Sequence, residues 1–225
     1  MTRRWLAMAL LTAWAWTVPA SGQAPAPGLA IGRLQYGGGG DWYGNPTSLP
    51  NLARALSERT GLPVSRIEET RVSAMDENLY NLPIVYMNGH GTVRFTEAEA
   101  SRLRRYLLDG GFLFADDNYG MDASFREEMK RIFPDRDLVE IPFDHSIYHA
   151  VYEFAKGPPK VHEHDGDPAQ GLGIFDDGGR LMVFYTFQSD VGDGLEDPEV
   201  HNDPPEVREE ALRMAINVIF YALTS

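Results

Sequence analysis

The sequence predicts a single α/β domain in which a mainly parallel sheet is flanked by helices. Short apolar runs alternate along the chain with amphipathic stretches of helical period, the order typical of parallel strands joined by helices. Two runs, IVYM at 84–87 and FLFA at 112–115, are apolar throughout, as expected of strands buried on both faces. Roughly 200 residues behind a leader supply one core and are too few for two.

Residues 1–22 have the three-part layout of a cleavable signal peptide. Two arginines precede an apolar run at 5–18, which ends in small residues. The run is shorter than the roughly 20 residues that a membrane-spanning helix needs, although its three tryptophans leave an uncleaved anchor as the alternative. Cleavage is expected after Gly22, with Ala24 as the other position. The sequence therefore predicts an exported protein, periplasmic or secreted, with a linker at 23–28 and a domain at 29–225.

Charge and cysteine content exclude several partners and mechanisms. The formal net charge of −13 predicts repulsion of nucleic acids and anionic membranes, so no nucleic-acid partner and no membrane span after cleavage are expected. The absence of cysteine removes disulfides and every cysteine nucleophile. No phosphate loop, GxGxxG fingerprint or GxSxG elbow occurs, and export leads away from ATP and nicotinamides, so no nucleotide cofactor is expected.

The first predicted strand covers 29–36 and ends in four glycines, Gly37 to Gly40, which permit a sharp turn and a close approach of backbone to a neighbour or ligand. A helix over 48–61 follows. Ser48 is its expected N-cap and Gly61 its expected end.

The next predicted strand, 83–88, leads into the clearest helix of the chain, 96–109. Thr96 and Glu99 form a capping box there, and apolar residues recur at helical spacing along one face. Two glycines end this helix, and the strand 112–116 follows, running into a pair of aspartates.

The remaining part of the chain is expected to form two further helices, a short strand and a hairpin. The expected elements are a helix over 123–133 capped by Asp122, a strand over 138–142, a C-terminal hairpin of 171–175 and 180–187, and a helix over 204–223.

Polar residues concentrate after the predicted strands. In open α/β sheets ligands bind beyond the carboxyl ends of the strands, so these residues are candidate ligand-binding residues, although loops are polar in any protein. They are Gly38, Gly39, Asp41, Trp42, Asn88, Asp117, Asn118 and Asp190.

Three residues are the expected catalytic or metal-ligating groups: His90, Asp116 and His145. His90 lies between two glycines after a buried strand, where it can act as base or ligand or bond a neighbouring carbonyl. Asp116 and Asp117 should point oppositely from extended backbone, and Asp116 is the expected inward carboxylate. His145 could share a helical face with His149, although the HExxH pattern of zinc proteases is absent.

Two further segments contain metal-ligand residue types. His162 and His164 would face the same way on a strand, but prolines and glycines bound their segment, so a solvated loop is expected. The acids of 190–197 suggest calcium, but their spacing matches no EF-hand.

Several blocks together resemble a known bacterial family, domain of unknown function 4159. They are RLQYGGGGDWY, YMNGHG, LLDGGFLFADDN, FREEMKRIFP, PFDHSIYH and GGRLMVFYT. The resemblance implies a flavodoxin-type fold similar to class I glutamine amidotransferases, without an established activity. In that superfamily a nucleophilic cysteine occupies the strand-to-helix elbow. Here Asp116 and Asp117 stand at the corresponding place, so the amidotransferase reaction does not carry over.

Two functions remain open. In the first, the domain is a non-catalytic binding or assembly module of the cell envelope, whose cleft takes a saccharide, a peptide or a partner protein against Trp42, Tyr43 and Tyr119. In the second, it is a hydrolase in which His90, Asp116 and His145 hold a divalent metal or act on water as acid and base. The missing nucleophile and metal motif favour the first. The sequence leaves the cofactor and the oligomeric state undetermined.

Overall fold

The computed structural model of the chain describes residues 28–65 and 68–225. The predicted signal peptide, 1–22, and the linker up to residue 27 lie outside the described residues. Among the helices of the described ranges, none is both long enough and apolar enough to cross a bilayer.

A seven-stranded sheet forms the centre of the fold. Its strands are β1 (Ile31–Gln35), β2 (Thr70–Ser73), β3 (Ile84–Gly89), β4 (Phe112–Asp117), β5 (Val139–Glu140), β6 (Gln170–Phe175) and β7 (Leu181–Phe187). They are ordered β2-β1-β3-β4-β7-β6-β5. The first five strands of this order are parallel, whereas β6 runs antiparallel to β7 and β5 antiparallel to β6. The predicted α/β class with a mainly parallel sheet is confirmed.

Helices cover both faces of the sheet. They are α1 (Ser48–Thr60), α2 (Glu97–Leu108), α3 (Asp122–Ile132), α4 (Val191–Gly194), α5 (Pro198–His201) and α6 (Pro205–Thr224). Because side chains alternate along a strand, Val85 and Met87 of β3 join the core under α2 and α3, while Ile84 and Tyr86 join the core under α1 and α6. Burial on both faces explains the uninterrupted apolar runs of the central strands.

The predicted helix signals are confirmed in part. Thr96 and Glu99 form the expected capping box of α2, and Gly61 ends α1 in a left-handed conformation. Ser48 is not the N-cap of α1, because Thr47 occupies that position and the Ser48 hydroxyl bonds the carbonyl of Asn45 instead.

Asp122 is likewise not the N-cap of α3 but its first residue, and Met121 precedes it. The carboxylate of Asp117 accepts a hydrogen bond from the Met121 N–H, so the capping group comes from the end of β4. Strand β2 and the short helices α4 and α5 were not predicted, because each is too short for a periodic pattern to emerge.

The four glycines after β1 hold the loop that follows β1 against the loop that follows β3. Gly37 and Gly40 donate backbone hydrogen bonds of 3.0 Å to the carbonyls of Arg94 and Thr92. A Cβ at Gly38, where φ is +98°, would lie 2.6 Å from the Thr92 carbonyl oxygen. Glycine is therefore required here because the chain after β1 approaches the chain after β3, a reason that involves no ligand.

A fully buried guanidinium joins β1 to its neighbours. Arg33 has none of its surface exposed, and its Nε lies 2.5 Å from a carboxylate oxygen of Glu69. It also donates to Asn88 Oδ1, to the carbonyl oxygen of Asn45 at 2.9 Å and to the Ser48 hydroxyl at 3.1 Å. The charge is thus compensated by one carboxylate and several acceptors, as burial requires.

Arg33→Met should lower the free energy of unfolding by about 3–5 kcal/mol, because it leaves buried acceptors without a donor. Arg71→Met is the matched control, since Arg71 pairs with the same Glu69 but its side chain is 54% exposed. Its removal should cost less than about 1 kcal/mol. Urea denaturation of both variants measures the difference, and equal losses would show that Arg33 is not a special support of the fold.

Candidate functional site

The segment 158–168 is fixed against the carboxyl end of β7. The Val161 N–H donates to the Ser189 carbonyl at 2.8 Å, and the Ser189 hydroxyl donates to the Pro159 carbonyl. The Gln188 amide donates to Asp165 at 2.6 Å. The loop expected at His162 and His164 is confirmed, and its residues 163–168 are exposed, but residues just beyond β7 hold the segment so that both imidazoles lie at the carboxyl ends of the strands.

Both imidazoles contact Asp190, a fully buried residue. His164 Nε2 forms a short hydrogen bond to Asp190 Oδ2, and His162 Nδ1 lies 3.3 Å from the same oxygen. The second oxygen of this carboxylate is buried without a hydrogen-bond partner among the described residues. An unpaired buried carboxylate oxygen is costly, which makes this position a candidate for ligand contact.

Asp193 is held so that one oxygen faces the histidines. Its Oδ1 accepts hydrogen bonds from the side-chain amides of Asn45, at 2.5 Å, and Asn118. Its Oδ2 lies 3.0 Å from His162 Nδ1 and 3.8 Å from His201 Nε2. In the described ranges, His162, Asp193 and His201 form the one group of three whose ligand atoms converge closely enough to hold a metal ion. We call His162, Asp190, Asp193 and His201 the His/Asp cluster.

Charge pairing governs the ionisation of this cluster. Hydrogen bonds with Asp190 and Asp193 raise the pKa of His162 to about 10. Burial acts to raise the pKa of Asp193, but the hydrogen bonds from His162 and Asn45 hold it below its usual value. The other nitrogen of His162, Nε2, donates to Asp203 Oδ1 at 3.0 Å, which fixes the orientation of the ring.

Asp116 and Asp117 support neighbouring elements. Asp116 accepts hydrogen bonds from the Thr186 hydroxyl and from the N–H groups of Val191 and Gly192, at 3.1 and 2.7 Å, so both of its oxygens are engaged by the start of α4 and by β7. Burial, reinforced by the charge of Asp190, raises the pKa of Asp116 to about 8. Burial likewise raises the pKa of Asp117, which caps α3, to about 6.

His90 forms a separate pair with Asp41. Its Nδ1 lies 3.1 Å from Asp41 Oδ2, and its backbone N–H also bonds that carboxylate. The pair sits on the loops after β1 and β3, and more than half of the His90 side chain is exposed. Of the other predicted ligand residues, Asn88 accepts from Arg33, and Trp42 packs against Tyr43 and Arg71.

His145 lies at the opposite edge of the sheet. Its ring packs on those of Phe175 and Tyr221, at the end where β7 begins with Leu181. Asp116 pairs with Thr186, five residues further along β7, which corresponds to about 17 Å. No ion can contact both side chains, so the predicted metal centre of His90, Asp116 and His145 is wrong.

The predicted helical face shared by His145 and His149 is also absent, because the segment between them, Ser146–Tyr148, is a single 3-10 turn. The His149 ring instead bonds Glu153 and the carbonyl of Phe143. Both histidines therefore serve local structure.

A family model described as Domain of unknown function (DUF4159) matches residues 30–223. The chain belongs to this family. No curated protein matches the chain. The match covers every strand, every helix except the last residue of α6, and every residue of the His/Asp cluster, so the site lies wholly within the DUF4159 domain.

Left-handed backbone concentrates around the cluster of the DUF4159 domain. Non-glycine residues with positive φ, in the ranges that the structure describes, are Asn45, Tyr119, Gln188, Asp190 and Asn202. Each lies within two residues of a cluster member or of a residue that bonds one. Backbone strain of this kind costs of the order of 1–3 kcal/mol per residue and gathers at functional sites.

The DUF4159 domain also has concave surfaces away from the strand ends. One cavity of about 390 Å³ lies between α1 and α6, and another of about 500 Å³ borders 152–159 and α6. The unpaired buried oxygens and the strained backbone lie at the carboxyl edge instead, so we place the functional site there.

Sequence reasoning missed His201, Asp203 and Asn45. None belongs to a recognisable motif, because the cluster and the amides that orient it come from four separate parts of the sequence, around residues 45, 118, 162 and 190–203. The sequence pattern that pointed to this cluster was the pair His162 and His164, two residues apart. Both of their side chains contact the same carboxylate, that of Asp190.

The DUF4159 domain should lose stability as the pH rises from about 5 to about 9. Asp116 has a folded-state pKa above its unfolded one, so its stabilising contribution is lost as the pH rises through about 8. Asp116→Asn cannot ionise and should flatten the decline below pH 8, by up to about 1.4 kcal/mol per pH unit.

Urea denaturation at several pH values measures this slope. Asp137→Asn, which alters an exposed carboxylate paired only with Lys130, is the control and should keep the wild-type slope. An Asp116→Asn variant with an unchanged slope would contradict the assignment.

Proposed function

We propose that the domain is a non-catalytic binding module of the cell envelope that holds a saccharide at the carboxyl edge of its sheet. The conformation and exposure of Tyr119 are the main support for this proposal. Its φ is +78°, its side chain is 51% exposed, and its ring stacks on His164 at 4.4 Å with an interplanar angle of 20°. Strain and apolar exposure at one residue are costs to folding, which a role in ligand contact would explain.

The His164 ring gives Tyr119 a rigid support. Because His164 is bonded to the buried Asp190, the ring beneath the tyrosine is fixed from below. A fixed aromatic face loses little conformational entropy when a ligand packs on it. Sugar rings present apolar C–H faces that pack on such rings, which supports a saccharide over a charged peptide.

Polar groups for sugar hydroxyls lie beside this face. The loops of Gly91 and Gly120 approach each other, since a Cβ at Gly120 would lie 3.9 Å from the Gly91 nitrogen. The exposed pair of His90 and Asp41 therefore lies next to the Tyr119 loop. Tyr43, 59% exposed on the loop that carries Asp41, adds a second aromatic.

The envelope setting and the finer fold belong to the same proposal. The signal-peptide layout of residues 1–22 supports export, and an exported acidic domain meets saccharides in the envelope. The strand order β2-β1-β3-β4-β7, all parallel, supports a flavodoxin-type, glutamine amidotransferase-like fold.

Tyr119→Ala should weaken saccharide binding at least about tenfold, since a stacked aromatic contributes roughly 1.4 kcal/mol or more. Tyr80→Ala, which removes another half-exposed tyrosine that lies near the amino ends of β3 and β4, away from the proposed site, should bind as the wild type does. Calorimetric titration with soluble peptidoglycan and polysaccharide fragments measures both.

Tyr119→Gly separates binding from folding. Glycine accepts the left-handed backbone, so this variant should keep its stability within about 1 kcal/mol while losing binding. Wild-type protein that binds no fragment, or Tyr119 variants that bind normally, would refute the proposal.

A second candidate, a hydrolase acting on an envelope substrate, is favoured by the pair of His164 and Asp190. The buried carboxylate orients the ring through Nε2, and His164 Nδ1 has no hydrogen-bond partner in the described ranges, as in a histidine base held by an aspartate. Chromogenic glycosides, esters and phosphates test this candidate. Turnover that His164→Ala abolishes, and that His149→Ala leaves unchanged, would favour it over simple binding.

A further inference from the structure

We propose that His162, Asp193 and His201 bind one divalent transition-metal ion, with zinc as the ion that their chemistry fits. The inference does not depend on the saccharide proposal. It starts from the donor atoms, His162 Nδ1, Asp193 Oδ2 and His201 Nε2, which all lie within 4.8 Å of one another. Two imidazole nitrogens and one carboxylate oxygen form a donor set suited to zinc and its neighbours rather than to calcium or magnesium.

The separations agree with coordination to a common ion. Ligands about 2.0–2.1 Å from a tetrahedral zinc lie roughly 3.3 Å from one another. The Asp193 oxygen is 3.0 Å from His162 Nδ1 and 3.8 Å from His201 Nε2, on either side of that value. The third separation, between His162 Nδ1 and His201 Nε2, is within 4.8 Å, so rotation of these side chains would place all three atoms around one ion.

The surroundings orient each donor. The amides of Asn45 and Asn118 occupy Asp193 Oδ1, which leaves Oδ2 toward the histidines. Asp203 accepts from His162 Nε2 at 3.0 Å and thereby directs Nδ1 inward. A carboxylate behind a ligating histidine is the usual outer partner in metal sites, where it fixes the tautomer and raises the basicity of the ligand.

Two buried oxygens beside the donors point independently to a ligand. Asp190 Oδ1 and Asn118 Oδ1 have no hydrogen-bond partner among the described residues, and both residues are at least 99% buried. Asp190 and Asn118 touch His162 and Asp193 directly. Three protein ligands leave a coordination position on zinc for water, and these oxygens are acceptors of the kind that a bound water needs.

Ion pairing alone is the competing explanation. A cationic His162 between Asp190 and Asp193 accounts for the contacts of that ring. Ion pairing of His201 with the same Asp193 oxygen likewise accounts for their 3.8 Å separation, but ion pairing does not account for the two unpaired oxygens. A metal ion accounts for the convergence of the three donor atoms, and a water bound to it would give the unpaired oxygens a partner.

The test uses the full chain, stripped with a chelator, and a competition titration with Zn²⁺. One ion per chain should bind, and Co²⁺ in its place should give the visible absorption of a four- or five-coordinate nitrogen and oxygen site. His201→Ala should weaken Zn²⁺ binding at least about 100-fold, and Asp203→Asn about 10- to 100-fold. His201 lies on the short exposed helix α5, so its variant should remain folded, as circular dichroism will verify.

His149→Ala is the matched control, because this histidine also bonds a carboxylate but lies outside the cluster, and Zn²⁺ binding should be unchanged. Wild-type protein without a stoichiometric ion would overturn the proposal and identify the cluster as an ion-pair network. Binding that persists in His201→Ala, or binding of Ca²⁺ alone, would also overturn it. Zn²⁺ binding without saccharide binding would support the metal site alone, and saccharide binding without Zn²⁺ binding would support the saccharide site alone.

Discussion

The buried positive charge of Arg33 is the constraint from which the arrangement of the site follows. A guanidinium inside the sheet must be surrounded by acceptors, and Arg33 takes them from Glu69, Asn88 and the carbonyl of Asn45. The last of these contacts fixes the loop after β1. The side-chain amide of Asn45 in turn donates a hydrogen bond to Asp193. The buried charge of Arg33 therefore helps to position the Asp193 carboxylate at the carboxyl ends of the strands.

The carboxylates at the carboxyl ends of the strands are also positioned through chains of hydrogen bonds. Asp116 is engaged by the hydroxyl of Thr186 and by the N–H groups that begin α4, and it places the backbone that carries Asp193. The hydrogen bonds of Asp116 thus position other residues. The side chains proposed to contact a ligand are instead those of Tyr119, His162, His164 and His201. The left-handed backbone at Tyr119, Asp190 and Asn202 beside these groups costs local stability.

Sequence patterns were sufficient for the sheet and its main helices and for the edge at which the site lies. The uninterrupted apolar strands identify parallel pairing, and Asp116, Asn118 and Asp190 do meet at one edge. The patterns could not place His145. After α3 the chain enters the sheet as β5, the outermost strand, and the turn that follows β5 and carries His145 lies near the amino end of β7, away from the carboxyl ends of the parallel strands. Nor could the patterns find His201 and Asp203, since their partners are fixed only by tertiary packing of 158–168 and α5.

The residues that orient the cluster lie far apart along the chain, which makes the site depend on the whole sheet. Asn45 and Asp193, which share a hydrogen bond, are 148 positions apart. The hydrogen bond that orients Asp193 therefore depends on the pairing of β1, β3, β4 and β7, since only the assembled sheet brings the loops after β1 and β7 to the same side of the molecule.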